Sequence, residues 1–493
     1  MLGSYVFTDP KGELYDKTAG YLKKNGYDIK VLNLVNPENS DGYNPLAHIN
    51  NEIDVDVIAN TIIRGQKSEG AGSSDPYWDN MSEMLLKALI YYLISRGVRE
   101  EENLVSCAEM VRAANTSGGS NMLTELMNDL PADHPARINY KSIEVVAASE
   151  KTFSNVLSSL QSKLGKFDSR EIAEVTSTDT INFEDIGSKK TAVYVISSDT
   201  HTAYDFLLTI FFAQMIQQLY DFADKNGGKL KVPVFFILDE FANIGKIPDF
   251  DKKISTSRSR GISFSVILQN LDQLEAVYEK SHETIMGNCD THVFLGSNSF
   301  KTVEYFSKAL GEKTITRDSK SVNRDKNEKK QGYSTSDQVM GRALMTPDEL
   351  RRMDNDLCII FEKGLKPVKA RKYYYFESQM VKKLQEYTLD HNDFDSGNRG
   401  VWRKFNPYNP YTNNEEPTDL KVDSLDDLFD DDKEEDKIEK IDKKQDTTDD
   451  LFNDEIDALV LPQEEETDDF SEDIQKQLEA KFDELFGPLD DEN

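Results

Sequence analysis

The chain has 493 residues, of which 90 are acidic and 58 basic, giving a formal net charge of -32. This length allows two or three domains. This net charge excludes a protein that binds nucleic acid over its whole surface, because phosphate contacts need local positive charge. It does not exclude a local basic channel. From residue 415 onward there are 33 acidic and 8 basic residues, whereas the remainder has 57 and 50. The body is therefore mildly acidic and the tail is a polyanion.

The cysteines and the apolar runs indicate the redox compartment of the chain and whether it spans a membrane. Cys107, Cys289 and Cys358 match no metal-ligand spacing, which favours small core residues in a reducing compartment. No secretory signal is visible, and the best apolar runs, 85–94 and 206–219, are too short or too interrupted by polar residues to span a bilayer. We therefore expect the chain as given to be soluble, with any membrane anchor outside it.

The first 54 residues predict the first part of a parallel α/β core. A strand at 4–8 is followed by a helix at 14–25, with Gly26 placed to end it, and by a strand at 28–34. A strand-helix-strand unit of this kind is typical of a parallel sheet.

Residues 55–170 predict an all-α insertion domain. Apolar residues recur at helical spacing in 78–95, and further helices are predicted at 103–113, 122–130 and 143–163, with no convincing strand between them.

The second part of the core is predicted over residues 171–383. A long helix is expected at 204–226, and strands are expected at 191–196, 232–238, 262–268, 291–295, 357–362 and 371–376. Alternating strands and helices predict a doubly wound α/β fold.

The hydrophobic pattern thins after residue 383, so 384–414 is interpreted as a linker and 415–493 as a disordered acidic tail that cannot bury enough apolar surface to fold. A short phrase recurs in this tail at 426–429, 449–452 and 483–486, and 471–486 has the pattern of a terminal amphipathic helix. Either the tail only solvates the protein, or the repeats dock onto a partner. Three copies favour docking.

The most informative stretch is the apolar run 232–238, which ends in Asp239 and Glu240. A buried parallel strand that ends in two carboxylates delivers them to the edge of a sheet. There, the first can hold a magnesium ion or its bound water, and the second can orient a water for nucleotide hydrolysis. The alternative is a buried strand that simply enters a surface turn.

Arg258, Arg260 and Gln269 follow this strand. An amide at the end of the next strand can sense a terminal phosphate, and an arginine between the two strands can reach a phosphate in a neighbouring subunit. Each signal alone fits a surface cation or a strand cap. Their order together is that of RecA-like motor ATPases.

With these residues in place, the chain resembles the type IV secretion coupling proteins, the membrane ATPases that deliver DNA in bacterial conjugation. The resemblance covers roughly residues 4–376, and the helical segment matches mainly in position. It rests on motif-like phrases at 8–13 (Thr-Asp-Pro-Lys-Gly-Glu), 44–46, 238–241, 269–278, 287–289, 344–350 and 366–367.

The resemblance implies a RecA-like P-loop NTPase core that uses ATP and Mg²⁺ to drive DNA transfer. Asp239 would carry magnesium, Glu240 would be the catalytic carboxylate, Gln269 the sensor, and Arg258 a finger acting in trans, with Arg260 as the alternative. The helical domain would receive single-stranded DNA with its relaxase. The core would form a ring, expected to be a homo-hexamer, at the cytoplasmic face of the bacterial inner membrane, where it meets the secretion channel proteins.

The phosphate-binding loop of the family is missing. No segment matches Gly-x-x-x-x-Gly-Lys-Ser/Thr, and the nearest stretches are 187–191, which precedes a strand, and 70–74, which has no lysine. In relatives the loop and the membrane helices lie upstream of the phrase at 8–13. We therefore expect an N-terminally truncated chain, arising from a misplaced start or a split gene, with weak or no ATPase activity in isolation.

A basic stretch lies between strand-like segments at 313–330. It contains seven basic residues against three acidic ones. Either it is a solvated mobile loop, which is the usual meaning of a charge run, or it faces a channel and contacts DNA phosphates through Lys313, Arg317, Lys320, Arg324, Lys326, Lys329 and Lys330.

Three functions follow as hypotheses. The first is a DNA pump of conjugation, the second another RecA-like DNA translocase, and the third a degenerate, non-hydrolysing adaptor that recruits substrate. The phrase at 8–13 and the helical insertion favour the first, whereas the missing loop favours the third for this polypeptide alone.

Overall fold

The computed structural model describes residues 3–65, 76–114, 121–147, 149–198, 203–323 and 332–408, with the side chains of 317–338 excluded. The chain divides into two units, Met1–Thr418 and Asp419–Asn493. The glycine-rich stretch 70–74, the acidic tail and its expected terminal helix lie outside the described residues.

Five parallel strands form the central sheet in the order β2-β3-β1-β4-β5. Their bounds are β1 Ser4–Thr8, β2 Asp28–Asn33, β3 Thr191–Ile196, β4 Val234–Leu238 and β5 Ile262–Val266. β4 begins after Pro233, whose missing N–H suits the start of a strand. The predicted parallel α/β sheet is confirmed.

The helices fall into two groups. The first fills the region between β2 and β3, where the described residues contain helices and turns but no strand: α2 Glu52–Arg64, α3 Pro76–Arg96, α4 Leu104–Ala113, α5 Met122–Asn128, α6 Pro135–Ala147, α7 Glu150–Leu164, α8 Arg170–Ser177 and α9 Phe183–Ser188. The second surrounds the sheets: α1 Glu13–Lys24, α10 Asp205–Lys225, α11 Phe250–Arg260, α12 Leu271–Tyr278, α13 Ser281–Asn288, α14 Phe300–Leu310, α15 Pro347–Arg351 and α16 Met380–Gln385.

The two faces of the sheet bury different partners. α1 covers one face, where Tyr15, Ala19 and Leu22 pack with Phe7 and Tyr194. On the other face, α10 and the helical region share one continuous core with the remaining strand residues, including Val6, Phe236 and Leu238. Alternate residues of a strand point to opposite faces, so β1 feeds both cores.

One long helix predicted at 143–163 is instead two, α6 and α7. The backbone turns between them, where the Ser149 N–H donates to the Val146 carbonyl at 3.0 Å. The apolar period continues through the turn because both helices pack on the same core, so periodicity alone does not reveal the break.

The last three predicted strands do not extend the parallel sheet. β6 Thr291–Phe294, β9 Leu357–Glu362 and β10 Val368–Arg371 form a separate antiparallel sheet in the order β10-β9-β6. The strand predicted at 371–376 is wrong after Arg371, where the chain leaves β10 and forms a 3-10 turn at Tyr375–Glu377. The short turn from β9 to β10 permits only antiparallel pairing.

The described part of the basic stretch expected as a loop, residues 313–323, lies in one arm of a β-ribbon. β7 Glu312–Asn323 pairs antiparallel with β8 Gly332–Ala343. At about 3.4 Å per residue, each 12-residue arm is roughly 40 Å long. Residues 324–331, which separate β7 from β8 in the sequence, lie outside those that the structure describes.

Residues 387–405, assigned to a linker from sequence, pack along the body as a strap. The Leu389 N–H donates to the Asp16 carbonyl on α1 at 3.0 Å, and the Phe405 N–H donates to the Ser106 hydroxyl on α4 at 3.0 Å. Phe405 is buried beneath the Arg96 guanidinium. The strap therefore joins the first core helix to the helical region.

In the described ranges, no helix is both long enough and apolar enough to cross a membrane. Cys107 and Cys358 are buried as expected, and Cys289 is half-buried.

Candidate active site

The carboxylates lie where three strands end. Parallel strands deliver their carboxyl ends to one edge of a sheet, and β4 lies between β1 and β5. Asp239 and Glu240 follow β4 directly, Thr8 ends β1, and Gln269 follows β5 by three residues. This edge collects the polar groups that the sequence separates by more than 200 residues.

Glu240 has an unusual backbone conformation. Its φ is 47° and its ψ is 47°, in the left-handed region that residues other than glycine rarely adopt. Its own N–H donates to Asp239 Oδ1 at 3.1 Å, and its Oε2 accepts from Asn243 Nδ2 at 3.0 Å. The sharp turn holds the Glu240 side chain at the strand end.

Gln269 meets Glu240 across the strand boundary. Gln269 Nε2 donates to Glu240 Oε1 at 3.1 Å, while the Gln269 N–H donates to Gln273 Oε1 at 3.2 Å. Asn270 then caps α12 by accepting from the Gln273 N–H. The amide and the carboxylate that were predicted to lie side by side are in direct contact.

An aromatic cluster supports the turn after Glu240. Phe241 is fully buried and stacks on Tyr278 with ring centroids 5.5 Å apart, and Phe250 packs against both rings. The Tyr278 hydroxyl accepts from the Ile247 N–H at 3.2 Å, and burial raises its pKa. The cluster fixes the backbone that carries Glu240, a supporting role that the spacing of the sequence does not reveal.

β1 contributes two residues of the phrase at 8–13. The Thr8 hydroxyl donates to the Asp239 carbonyl at 2.7 Å. Asp9 is 2% exposed and accepts from the Tyr15 N–H at 2.8 Å, so it holds the first turn of α1. Burial raises the pKa of Asp9, and the backbone hydrogen bonds oppose that rise. The sequence indicated this phrase only as a family motif and did not reveal that Thr8 holds the Asp239 backbone and Asp9 holds the start of α1.

The structure does not bring the two arginines to this edge. Arg258 and Arg260 lie in the last turn of α11, which leads into the opposite end of β5. Five residues at about 3.3 Å each put them roughly 16 Å or more from Gln269. Arg260 binds Asp224 through two hydrogen bonds of 3.0 Å. Arg258 is exposed, and its guanidinium forms no hydrogen bond or ion pair with the described residues.

The donor set at the strand ends fits a water-rich magnesium site. Mg²⁺ is usually held by one or two carboxylates, with waters and substrate phosphates completing six oxygens. Asp239 is half-buried, and its Oδ1 accepts from the Glu240 N–H, whereas its Oδ2 forms no hydrogen bond with the described residues. Elsewhere in the described chain, one group of three potential metal-ligating residues lies close together, Asp16, Asp390 and His391, on α1 and the strap.

The nearest substitute for a phosphate loop is far from this edge. Residues 187–191 lead into the start of β3, at the opposite end of the sheet from Glu240. Lys189 there pairs with Asp28 and Asp185 at 3.0 and 3.1 Å. This stretch therefore does not face the carboxylates.

β5 is an edge strand beside the site. Among the described residues it pairs with β4 alone, and Ser263 and Ser265 in the strand and Ile267 directly after it are exposed. A free edge of this kind can accept another parallel strand.

Of the predicted DNA-contacting residues, Lys313 is exposed near the base of the ribbon. The side chains of Arg317 and Lys320, and the whole of Arg324, Lys326, Lys329 and Lys330, lie outside the described part of the chain.

Residues 1–394 match the family model described as "Type IV secretory system Conjugative DNA transfer". The chain belongs to this family. The expected membership of the type IV secretion coupling proteins is thereby confirmed.

Two curated relatives are between 25% and 28% identical to this chain. The chain is 28% identical over 221 residues to the protein VirD4 of Rhizobium rhizogenes, covering 44% of this chain and 32% of VirD4. It is 25% identical over 371 residues to the conjugal transfer protein TraG of Escherichia coli, covering 71% of this chain and 58% of TraG. The chain thus spans between about a third and three-fifths of the length of these relatives.

Solved structures confirm the fold class. The bacterial conjugative coupling protein TrwBdeltaN70, in its unbound monoclinic form, matches with a TM-score of 0.52 and 17% identity over 75% of this chain and 78% of that one. TrwB in complex with ADP and Mg²⁺ matches with a TM-score of 0.51 and 16% identity over 76% and 86%. The RecA-like α/β class predicted from sequence agrees with this likeness.

Proposed function

We propose that this chain is the motor part of a coupling protein that uses ATP hydrolysis to pass DNA, with its relaxase, into a type IV secretion channel. The observation that carries the proposal is the contact between Gln269 and Glu240 at the ends of neighbouring strands. An amide that touches the catalytic carboxylate can report the state of a terminal phosphate to it.

In this proposal Glu240 orients the attacking water and Asp239 holds a magnesium-bound water. Gln269 and Asn243 each donate one hydrogen bond to Glu240, so the carboxylate is held at both oxygens. A bound magnesium nucleotide would supply the phosphoryl group and the metal charge that offsets the charge of the transition state. TrwB, which was solved with ADP and Mg²⁺, supports nucleotide use in this fold.

The phosphate-binding element is proposed to enter beside β5. The described chain offers an unpaired strand edge next to Gln269, and the sequence has no phosphate loop of its own. A further parallel strand on this edge would deliver its carboxyl end, and a loop following it, to the carboxylates. Alone, the chain would therefore hydrolyse ATP weakly or not at all.

Arg258 is proposed to act on a neighbouring subunit. It is exposed and lies at the edge opposite to its own Glu240, so it can serve only the site of another copy. Arg260 is the weaker candidate because Asp224 already binds it. This assignment supports the homo-hexameric ring that the family resemblance implies, placed at the cytoplasmic face of the inner membrane.

Plasmid transfer in mating tests the motor role. Glu240→Gln in the native gene should reduce transfer by at least about a hundredfold, the lower range for loss of a positioned catalytic base. Glu283→Gln on α13 removes one carboxylate elsewhere and should transfer normally. Normal transfer by Glu240→Gln would contradict the motor and favour the non-hydrolysing adaptor, which the absent phosphate loop supports.

Turnover of Mg-ATP by the purified chain tests separately whether hydrolysis needs a further phosphate-binding strand and loop beside β5. We expect turnover near background. Strong hydrolysis that Glu240→Gln abolishes would show that the chain binds phosphates without a further strand.

A further inference from the structure

A basic and aromatic strip runs along β10 and the turn after it, at residues 366–376. Within these eleven residues the sequence has four cations, four aromatic rings and no carboxylate: Lys366, Lys369, Arg371, Lys372, Tyr373, Tyr374, Tyr375 and Phe376. The chain as a whole carries a net charge of -32, so a positive stretch of this kind stands out. Its Tyr375 ring lies beneath the Lys17 ammonium of α1, which is 5.6 Å from the ring centroid.

The rings of the strip face solvent. Tyr373 is 74% exposed, Phe376 62% and Tyr375 58%. Large aromatic side chains normally bury most of their area, so three consecutive or nearly consecutive exposed rings mark an interaction surface.

The strip is nevertheless ordered by its neighbours. Tyr374 stacks on Phe376 with centroids 5.1 Å apart, and its hydroxyl donates to Asp356 at 2.8 Å. The Lys372 N–H donates to the Asp356 carbonyl at 2.7 Å. Anchoring through Tyr374 holds the flanking rings outward without burying them, which lowers the entropy cost of binding.

The cations of the strip are available. Lys369 and Arg371 are two residues apart on β10, so they share one face, and Lys366 precedes them in the turn. All three are exposed, and within the described residues no carboxylate forms an ion pair with them or with Lys372. β10 is also the outer strand of its sheet.

We infer that this strip binds single-stranded nucleic acid, with bases stacked on Tyr373, Tyr375 and Phe376 and phosphates held by Lys366, Lys369 and Arg371. Exposed rings beside a row of cations form the combination that binds single strands without reading sequence, because every base has a π-face and every nucleotide a phosphate. The physiological ligand, single-stranded DNA in transit, rests on the proposed function, whereas the binding surface rests on the strip alone.

Fluorescence anisotropy with a labelled oligothymidylate, without nucleotide, tests the strip in the full chain. Tyr373→Ala combined with Phe376→Ala should weaken binding by at least about fivefold, the lower end for loss of one base-stacking ring. Tyr373→Phe keeps the ring and should bind normally. Tyr408→Ala, which removes a ring that is 69% exposed outside the strip, is the matched control.

The salt dependence of binding separates the two kinds of interaction. Lys366→Gln with Lys369→Gln should lower the slope of log affinity against log salt by about 0.7 for each phosphate that the variant no longer binds. Lys225→Gln, at a 72% exposed position on α10, should leave the slope unchanged. Thermal unfolding of each variant shows whether the fold is intact.

Three outcomes would overturn the inference. Equal affinity of the ring variants and Tyr408→Ala would show that no base stacks there. A change in sedimentation instead of DNA affinity would identify the strip as an interface between protein copies. No binding by the unmodified chain would contradict both the strip and the DNA-transfer role, whereas the first outcome would contradict the strip alone.

Discussion

Glu240 is held in a conformation that favours glycine, yet it carries a carboxylate. The left-handed region costs an L residue about 1–2 kcal/mol, and such strain persists where the surrounding structure enforces it, often at functional sites. Here the aromatic cluster of Phe241, Phe250 and Tyr278 fixes the turn. The chain keeps a glutamate at a position whose backbone conformation favours glycine, which agrees with a role for its side chain.

Comparison of glycine and alanine at this position measures the strain. We expect Glu240→Gly to be more stable than Glu240→Ala by roughly 0.5–1 kcal/mol, because relief of the left-handed penalty exceeds the entropy that glycine adds to the unfolded chain. At Glu283, inside α13, the order should reverse, with alanine better by about 1 kcal/mol. Chemical denaturation of the four variants gives both differences, and the same order at both positions would contradict the assigned strain.

Asp9 predicts a pH dependence of stability. Burial raises its folded pKa above the ordinary value of 3.8, so the folded state holds the proton more tightly than the unfolded one. The free energy of unfolding therefore falls as the pH rises from below 3.8 through the raised folded pKa. Asp9→Asn keeps an acceptor for the Tyr15 N–H and removes this loss.

Denaturation of dilute protein across that pH window tests this expectation. As the pH increases, the free energy of unfolding of Asp9→Asn should rise relative to that of the unmodified chain. Asp133→Asn, at an exposed position, controls for the loss of one charge. A constant difference between Asp9→Asn and the unmodified chain would contradict a raised pKa.

At the scale of elements, the strap at 387–405 ties the core to the helical region. It contacts α1 through Leu389 and His391, and it ends under Arg96 with Phe405. Gly12, at φ 73°, lies so close to His391 that a Cβ there would be 2.4 Å from the imidazole. The strap therefore passes beside the phrase at 8–13 that begins α1.

Phe405→Ala should release the strap. Removing a buried phenylalanine costs about 3–5 kcal/mol when the site cannot collapse, and here the loss is limited by local detachment of the strap. Hydrogen exchange should speed up at residues 387–405 and stay slow in β1 and β4. Tyr408→Ala removes an exposed ring nearby and should change neither, and unchanged exchange in Phe405→Ala would contradict the anchoring role.

At the scale of the whole molecule, positive charge is concentrated in two local stretches of a strongly acidic protein. The stretch 313–330 has seven basic and three acidic residues, and residues 366–376 on and after β10 form a second basic stretch. Long-range attraction to phosphate depends on such local clusters more than on net charge.

Neutralising the seven basic residues of 313–330 should flatten the salt dependence of DNA binding. Each phosphate bound on a single strand contributes about 0.7 to the slope of log affinity against log salt. Binding titrations at several salt concentrations give that slope. An unchanged slope would show that the ribbon does not touch DNA and that its cations are only solvated.

The sequence alone determined the features that depend on local pattern. Apolar or alternating runs identified the five parallel strands, because β3 is buried along its whole length whereas β5 alternates exposed with less exposed residues. Asp239, Glu240 and Gln269 follow strand ends, so parallel pairing of neighbouring strands was enough to predict that they meet. The phrases at 8–13 and 238–241 identified the family.

Only the tertiary structure decided which pairings and contacts occur between distant segments. Arg258 lies at the far end of β5, the strands β6, β9 and β10 form an antiparallel sheet of their own, and Phe405 returns to the helical region. Local pattern encodes whether a segment can be a strand or a helix, but partner and direction depend on connection lengths and on burial against remote surfaces. The exposure of the β10 strip is also decided by the tertiary structure, because its apolar and aromatic residues would by themselves predict a buried segment.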